Sequence, residues 1–187
     1  MPKIINRDQY RKELLSKCFD LFAHKGYAAI TMRQIAEGLG VSTGTLYHYF
    51  PSKQVLFEQL VEEISQQDVT TAAAQLEGMQ TLQERVEALG RFLVKNEEYF
   101  IKQAFIIVDY CQHQDREELL KAQFFQQIDE RYQQAIANFL GISDPAIAWF
   151  VLSLINGLVL ERLWGNKKIL FTEQIALLGK MLMLYLE

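Results

Sequence analysis

The sequence predicts an all-α fold: an N-terminal three-helix unit built around a helix-turn-helix, followed by a larger helical C-terminal domain. Three observations carry this. Apolar residues recur at helical spacing through most of the chain. No segment sustains strand-like alternation or ends in a hairpin turn. Residues 31–57 read as two short helices joined by a tight glycine turn, with a third helix starting behind them. Half of the 187 residues are apolar and only three are proline, which suits a well-cored helical protein better than a disordered one.

The first helix is expected from about Asn6 to Lys25. Leu14, Leu15, Cys18, Phe19, Leu21 and Phe22 fall at helical spacing, Asn6-x-x-Gln9 can cap the start, and Gly26 is a C-terminal stop. The second opens on Thr31, whose hydroxyl can accept from the Gln34 N–H while Gln34 reaches back, and Ile30 and Ile35 flank that box as a hydrophobic staple. It ends at Gly40, where a left-handed conformation costs glycine little. Ser42 then caps the third helix, with Val41 and Leu46 placed for a second staple. Pro51 ends it, and Ser52 can cap a long fourth helix through Val55, Leu56, Leu60, Val61 and Ile64.

Further helices are expected near 81–94, 96–111, 116–140, 145–165 and 172–186. Asp115-x-x-Glu118 can box the third of these. Asp144-Pro145 combines an N-cap with proline at the first helical position, and Thr172 can cap the last.

Charge is unevenly spread. Residues 1–53 hold eight Lys/Arg against four Asp/Glu, a net of +4, so the remaining eleven and nineteen leave residues 54–187 at −8. A basic first quarter on an acidic body suggests that one end meets a polyanion. Two cysteines, Cys18 and Cys111, make no disulfide framework and read as buried free thiols of a reducing cytosol. No signal peptide is expected, because charges interrupt every early apolar run. The most hydrophobic stretch, Pro145 to Leu160, is broken by Ser153 and Asn156 and closed by Glu161-Arg162. It falls short of the ~20 apolar residues of a membrane span. A helix buried in protein is expected, and no membrane partner.

The second helix of the motif is the right width for the major groove of B-DNA. Ser42, Thr43, Thr45, Tyr47 and His48 are hydrogen-bonding types with little reason to be there for packing. Gly44 costs ~1 kcal/mol relative to alanine inside a helix, and close approach of the backbone to DNA is one reason to keep it. Thr43, Thr45 and Tyr47 are assigned base reading. Thr31, Arg33, Ser42, His48 and Lys53 are assigned phosphates, Lys53 standing where a helix N-terminus already favours an anion. Phe50 should pack inward, with one of the two tyrosines.

The segment resembles the N-terminal domain of the TetR family of bacterial transcriptional regulators. The pattern is Thr31, Ile35, Ala36, Gly40, Val41, Ser42, Gly44, Leu46, Tyr47, Tyr49, Phe50, Lys53 and Leu56, preceded by Phe22 and Gly26-Tyr27. The resemblance implies a DNA-binding domain at residues 1–53, with the motif at about 31–50, and a ligand-binding and dimerisation domain at 54–187. It implies a homodimer on a palindromic double-stranded operator, a repressor released by a small-molecule effector, and a bacterial cytoplasmic, nucleoid-associated location. The C-terminal half matches only loosely, through Asn156-Gly157-Leu158.

Ala146 to Trp164 and Ile175 to Leu186 are apolar over more than one face, so burial against a second copy is expected. Phe92, Tyr99, Phe105, Tyr110, Phe124 and Trp149 could line a cavity for a hydrophobic or aromatic ligand, with Gln103, Cys111 and Asn156 as polar contacts. No cofactor or metal is expected. Asp109, His113 and Glu117 are spaced four apart, but the capping signal at Asp115 breaks the helix that would align them. An enzyme is not expected, since His24, His48 and His113 lie in separate helices and no serine or cysteine sits in a nucleophile context. The alternative is a helical protein-interaction adaptor without DNA binding.

Overall fold

A computed structural model describes residues 6–75, 77–121 and 123–186. Among the described residues ten helical segments follow in order: α1 (Arg7–Lys25), α2 (Met32–Leu39), α3 (Thr43–Tyr49), α4 (Lys53–Gln75), α5 (Leu82–Lys95), α6 (Glu97–Gln112), α7 (Arg116–Lys121), α8 (Gln123–Leu140), α9 (Pro145–Leu163) and α10 (Phe171–Leu186). No strand occurs among the described residues. They pack as two compact units: Met1–Gln67 with Phe105–Phe124, and Asp68–Ala104 with Phe125–Glu187. The boundary read at 53/54 falls at the first turn of α4, whereas packing divides that helix after Gln67 and draws a stretch from beyond residue 100 into the first unit.

The local signals that start and stop the first helices are realised as bonds. Asn6 Oδ1 accepts from Asp8 and Gln9 N–H. Gly26 follows α1 at φ +78°. Thr31 and Gln34 close a reciprocal capping box on α2, and Gly40 ends that helix in the left-handed conformation. Ser42 Oγ accepts from Thr45 N–H at 2.9 Å, and Ser52 Oγ from Val55 N–H at 3.1 Å. Behind these caps the first unit buries Leu15, Cys18, Phe22, Ile30, Ile35, Leu46, Phe50, Phe57 and Ile106. Phe22, Tyr27, Phe57 and Tyr110 form an aromatic cluster with centroid separations of 4.4 to 6.0 Å.

In the second unit Val86, Leu89, Phe92 and Leu93 of α5 share a core with Val151, Leu158 and Val159 of α9 and Ile175, Leu178 and Leu182 of α10. Two glycines let α5 and α10 approach. A Cβ on Gly90 would lie 3.2 Å from Ile175, and one on Gly179 would lie 3.0 Å from Val86.

Residues 116–121 (α7) and 123–140 (α8) are helical, as expected near 116–140, and residue 122 lies outside the described residues. Two expectations are corrected. Thr172 does not cap α10: the helix already starts at Phe171, and the Leu170 carbonyl accepts from Gln174 N–H. Finally, α9 is buried on one face only. Ile147, Ala148, Val151, Leu152, Leu158 and Val159 are covered, whereas Trp149, Phe150, Ser153, Asn156 and Gly157 are exposed. By length and composition α9 is also apolar enough to cross a membrane.

Candidate nucleic-acid interface

The outward end of α3 is assembled by the residues behind it. Leu46 and Phe50 are fully buried and fix the helix by its inner face. Tyr49 is half-buried, edge-on to Tyr10 at 5.5 Å and under the Arg7 guanidinium at 5.8 Å. Facing outward are Ser42, Thr43, Gly44 and His48, with Tyr47 at 49% exposure. A residue of that size left half in water on a short helix is not being used for the core. Thr31 and Arg33, at the start of α2, are exposed too, and no acidic side chain stands in that first turn to neutralise the helix dipole.

Not all expected side chains have free polar atoms. Thr45 is half-buried, and its hydroxyl lies 2.8 Å from Ser42 Oγ, so the pair commits its hydroxyls to each other and to the cap. Thr31 Oγ1 is likewise held by Gln34. Lys53 is engaged by the backbone of its own unit. Its Nζ donates to the carbonyls of Tyr27 at 2.7 Å, Ile30 at 3.0 Å and Ala28 at 3.4 Å, and stands 4.5 Å from the Tyr27 ring centroid. Burial lowers its pKa, and the Asp109 carboxylate nearby acts in the opposite direction. Sequence reading had Tyr27 only as part of the family pattern and Asp109 only in the stripe with His113 and Glu117, so neither was linked to Lys53.

The expected ligand residues divide between the two units. Phe105, Tyr110, Cys111 and Phe124 belong to the first unit, and Phe92, Tyr99, Gln103, Trp149 and Asn156 to the second. Tyr110 is core, stacked on Phe57 at 4.4 Å. Phe105 and Trp149 are about two-fifths exposed, and Asn156 lies on the open face of α9. Tyr99 and Gln103 do converge, around a carboxylate that sequence reading overlooked. Asp68 accepts from Tyr99 OH at 2.7 Å, Tyr132 OH at 2.7 Å and Gln103 Nε2 at 3.0 Å. Burial raises the Asp68 pKa, and the three donors pull against that shift. A signal existed: Asp68 continues the helical stripe of Phe57, Leu60, Val61 and Ile64, where a charge is out of place. Phe92 is packed in the core of its unit, edge-on to Phe100 at 5.9 Å, and also lines a small depression with Gln75, Met79, Ala88, Arg91 and Lys95.

Cys18 is buried, and desolvation pushes its thiol up to about 12; Cys111 is half-buried and shifted the same way. His113 Nδ1 sits 2.8 Å from the Asp109 carbonyl, while Glu117 lies on the next helix, so the three-residue stripe is broken as expected.

A helix-turn-helix with a polar outward end, carried on an all-helical chain, defines a class of DNA-binding regulator. Residues 14–60 match the family described as bacterial regulatory proteins, tetR family. Over 51 residues the chain is 43% identical to the HTH-type transcriptional repressor KstR2 of Mycobacterium tuberculosis, covering 27% of this chain and 26% of that protein. Over 134 residues it is 30% identical to the repressor KstR of the same species, covering 68% of this chain and 59% of the relative. The chain thus aligns with between about a quarter and three-fifths of the length of these relatives. In fold it is similar to the transcriptional regulator FadR of Bacillus subtilis, solved in complex with stearoyl-CoA. That likeness has a TM-score of 0.69 at 18% identity and covers 92% of this chain and 97% of FadR. The protein belongs to the TetR family.

Proposed function

We propose that this protein is a transcriptional repressor that binds a palindromic operator as a homodimer and is released by a small ligand. The observation that supports it most is the outward end of α3. Thr43, Gly44, Tyr47 and His48 face solvent while Leu46 and Phe50 anchor the same helix from behind. In this reading Thr43 and Tyr47 contact base edges, and Arg33 and His48 contact phosphates on the flanking strands. One seven-residue helix spans only a few base pairs. Two copies on a twofold axis would read a palindrome on one face of DNA. The surface for that pairing is the exposed side of α9 and α10, where Trp149, Phe150, Leu177, Met181 and Leu184 lie open.

The effector is read as small and largely apolar, taken up in the C-terminal unit, in a protein acting in the bacterial cytoplasm. The named relatives are repressors, and one solved neighbour holds stearoyl-CoA, which gives an acyl ligand as the first compound to try. A gel shift of the full chain on duplex DNA from upstream of its own gene tests the core of the proposal. Specific binding, competed by the same duplex and not by an unrelated one, is the expected result. Absence of any specific band would favour the adaptor reading instead.

A further inference from the structure

We propose that Lys53 and Asp109 are positioning residues of the DNA reader, holding the turn between α1 and α2, and that Lys53 holds no phosphate. This rests on the DNA-binding reading above. The turn, residues 26–30, decides where Thr31 and Arg33 stand, because α2 begins directly after it. Its carbonyls lie outside any helix and need donors from elsewhere.

The Lys53 ammonium has three N–H donors and three carbonyl partners, those of Tyr27, Ala28 and Ile30. Nothing is left over for a phosphate unless a carbonyl is released. The Tyr27 ring face adds a second favourable environment for the charge. From the opposite side Asp109 Oδ2 accepts the Ala28 N–H at 3.2 Å. The same oxygen lies 2.9 Å from where a Cβ on Gly26 would stand, and Gly26 has φ +78°, so this position excludes a side chain on two counts. Next to Asp109, Tyr110 packs edge-on against Tyr27 at 4.8 Å, with its hydroxyl donating to Glu58 at 3.1 Å. Residues of α6, about eighty positions along the chain from the turn, therefore complete the support of the reader within one packing unit.

The test uses the full-length protein and a duplex that the wild type selects from a random pool. Binding is measured across a salt series for Lys53→Met, Asp109→Ala and Asp109→Asn, with thermal melting alongside. Losing one phosphate contact flattens the slope of log K against log salt by ~0.9. Lys53→Met is expected to weaken binding about tenfold while leaving that slope unchanged, as loss of a support that touches no phosphate would. Asp109→Ala should lose a similar factor, and Asp109→Asn, which keeps an acceptor for Ala28 N–H, should recover most of it. Amide exchange at Ala28 should quicken in Asp109→Ala and not in Asp109→Asn, a change that loss of general stability would not confine to one turn. A slope flattened by ~0.9 in Lys53→Met overturns the proposal, as does wild-type affinity in Asp109→Ala. A wild type that selects no duplex removes the DNA reading itself, a failure visible before any variant is made.

Discussion

At Gly44 the backbone is ordinary helix, and a Cβ built there would meet nothing closer than the Ser42 hydroxyl, at 3.7 Å. Neither strain nor crowding inside the chain calls for glycine, although it costs ~1 kcal/mol of helix propensity. An external surface that comes within a side chain's width of the backbone would explain it. Gly44→Ala is therefore expected to raise the unfolding free energy by up to ~1 kcal/mol in urea titration and to weaken duplex binding in the same preparation. A variant that gains stability and binds DNA as well as the wild type would leave Gly44 without this explanation. Ser42 gives the contrasting case. Its hydroxyl caps Thr45 N–H, so Ser42→Ala should lower stability by ~1 kcal/mol on the same measurement.

Among the elements, what could be read in advance was what is local. Thr31 with Gln34, Ser42 with Thr45, and Asp144 ahead of Pro145 lie within a turn of one another, and each forms its cap, Asp144 by accepting from Ala146 N–H. What escaped was set by partners far along the chain. The spacing around Lys53 places it at a helix start, but only packing brings the carbonyls of Tyr27, Ala28 and Ile30 to its ammonium. Asp68 was overlooked for the same reason: Tyr99, Gln103 and Tyr132 come from α6 and α8. The Asp68 cluster has a pH signature. Burial raises the Asp68 pKa in the folded chain above its ordinary value of 3.8, so the folded state keeps the proton to higher pH than the unfolded one. This contribution to stability is fully present below 3.8 and is lost as pH rises toward the raised folded value. Unfolding measured over a pH series should thus give a wild-type minus Asp68→Asn difference that falls through the acid range. A flat difference would mean that the three donors cancel the cost of burial.

At the scale of the whole molecule the exposed apolar residues are not scattered. On α10 Leu177, Met181, Leu184 and Tyr185 stand at helical spacing, between 48% and 78% exposed, while Ile175, Leu178 and Leu182 on the other side are buried. The open face of α9 runs Trp149, Ser153, Asn156 and Gly157 to the exposed Trp164 at its C-cap. A face turned to lipid would have little use for Ser153 and Asn156, whereas a helix from a second copy can bond to both. Gly157 points the same way, since beyond its neighbours and its own helix backbone nothing lies within 4 Å of a Cβ built there. A mid-helix glycine on an exposed face lets another helix approach closely. For the proposed dimer, sedimentation at micromolar concentration should give twice the 21.7 kDa of the chain. Gly157→Phe should shift the protein toward monomer by crowding the interface, and Met181→Glu by placing a charge in it. Both variants leave the buried faces of α9 and α10 untouched, so their helix content by circular dichroism should match the wild type. Each should also need far more protein to shift a palindromic duplex, because one reader alone contacts a half-site. A wild type that sediments as a monomer, or a Gly157→Phe that stays dimeric, would move the pairing surface elsewhere on the molecule.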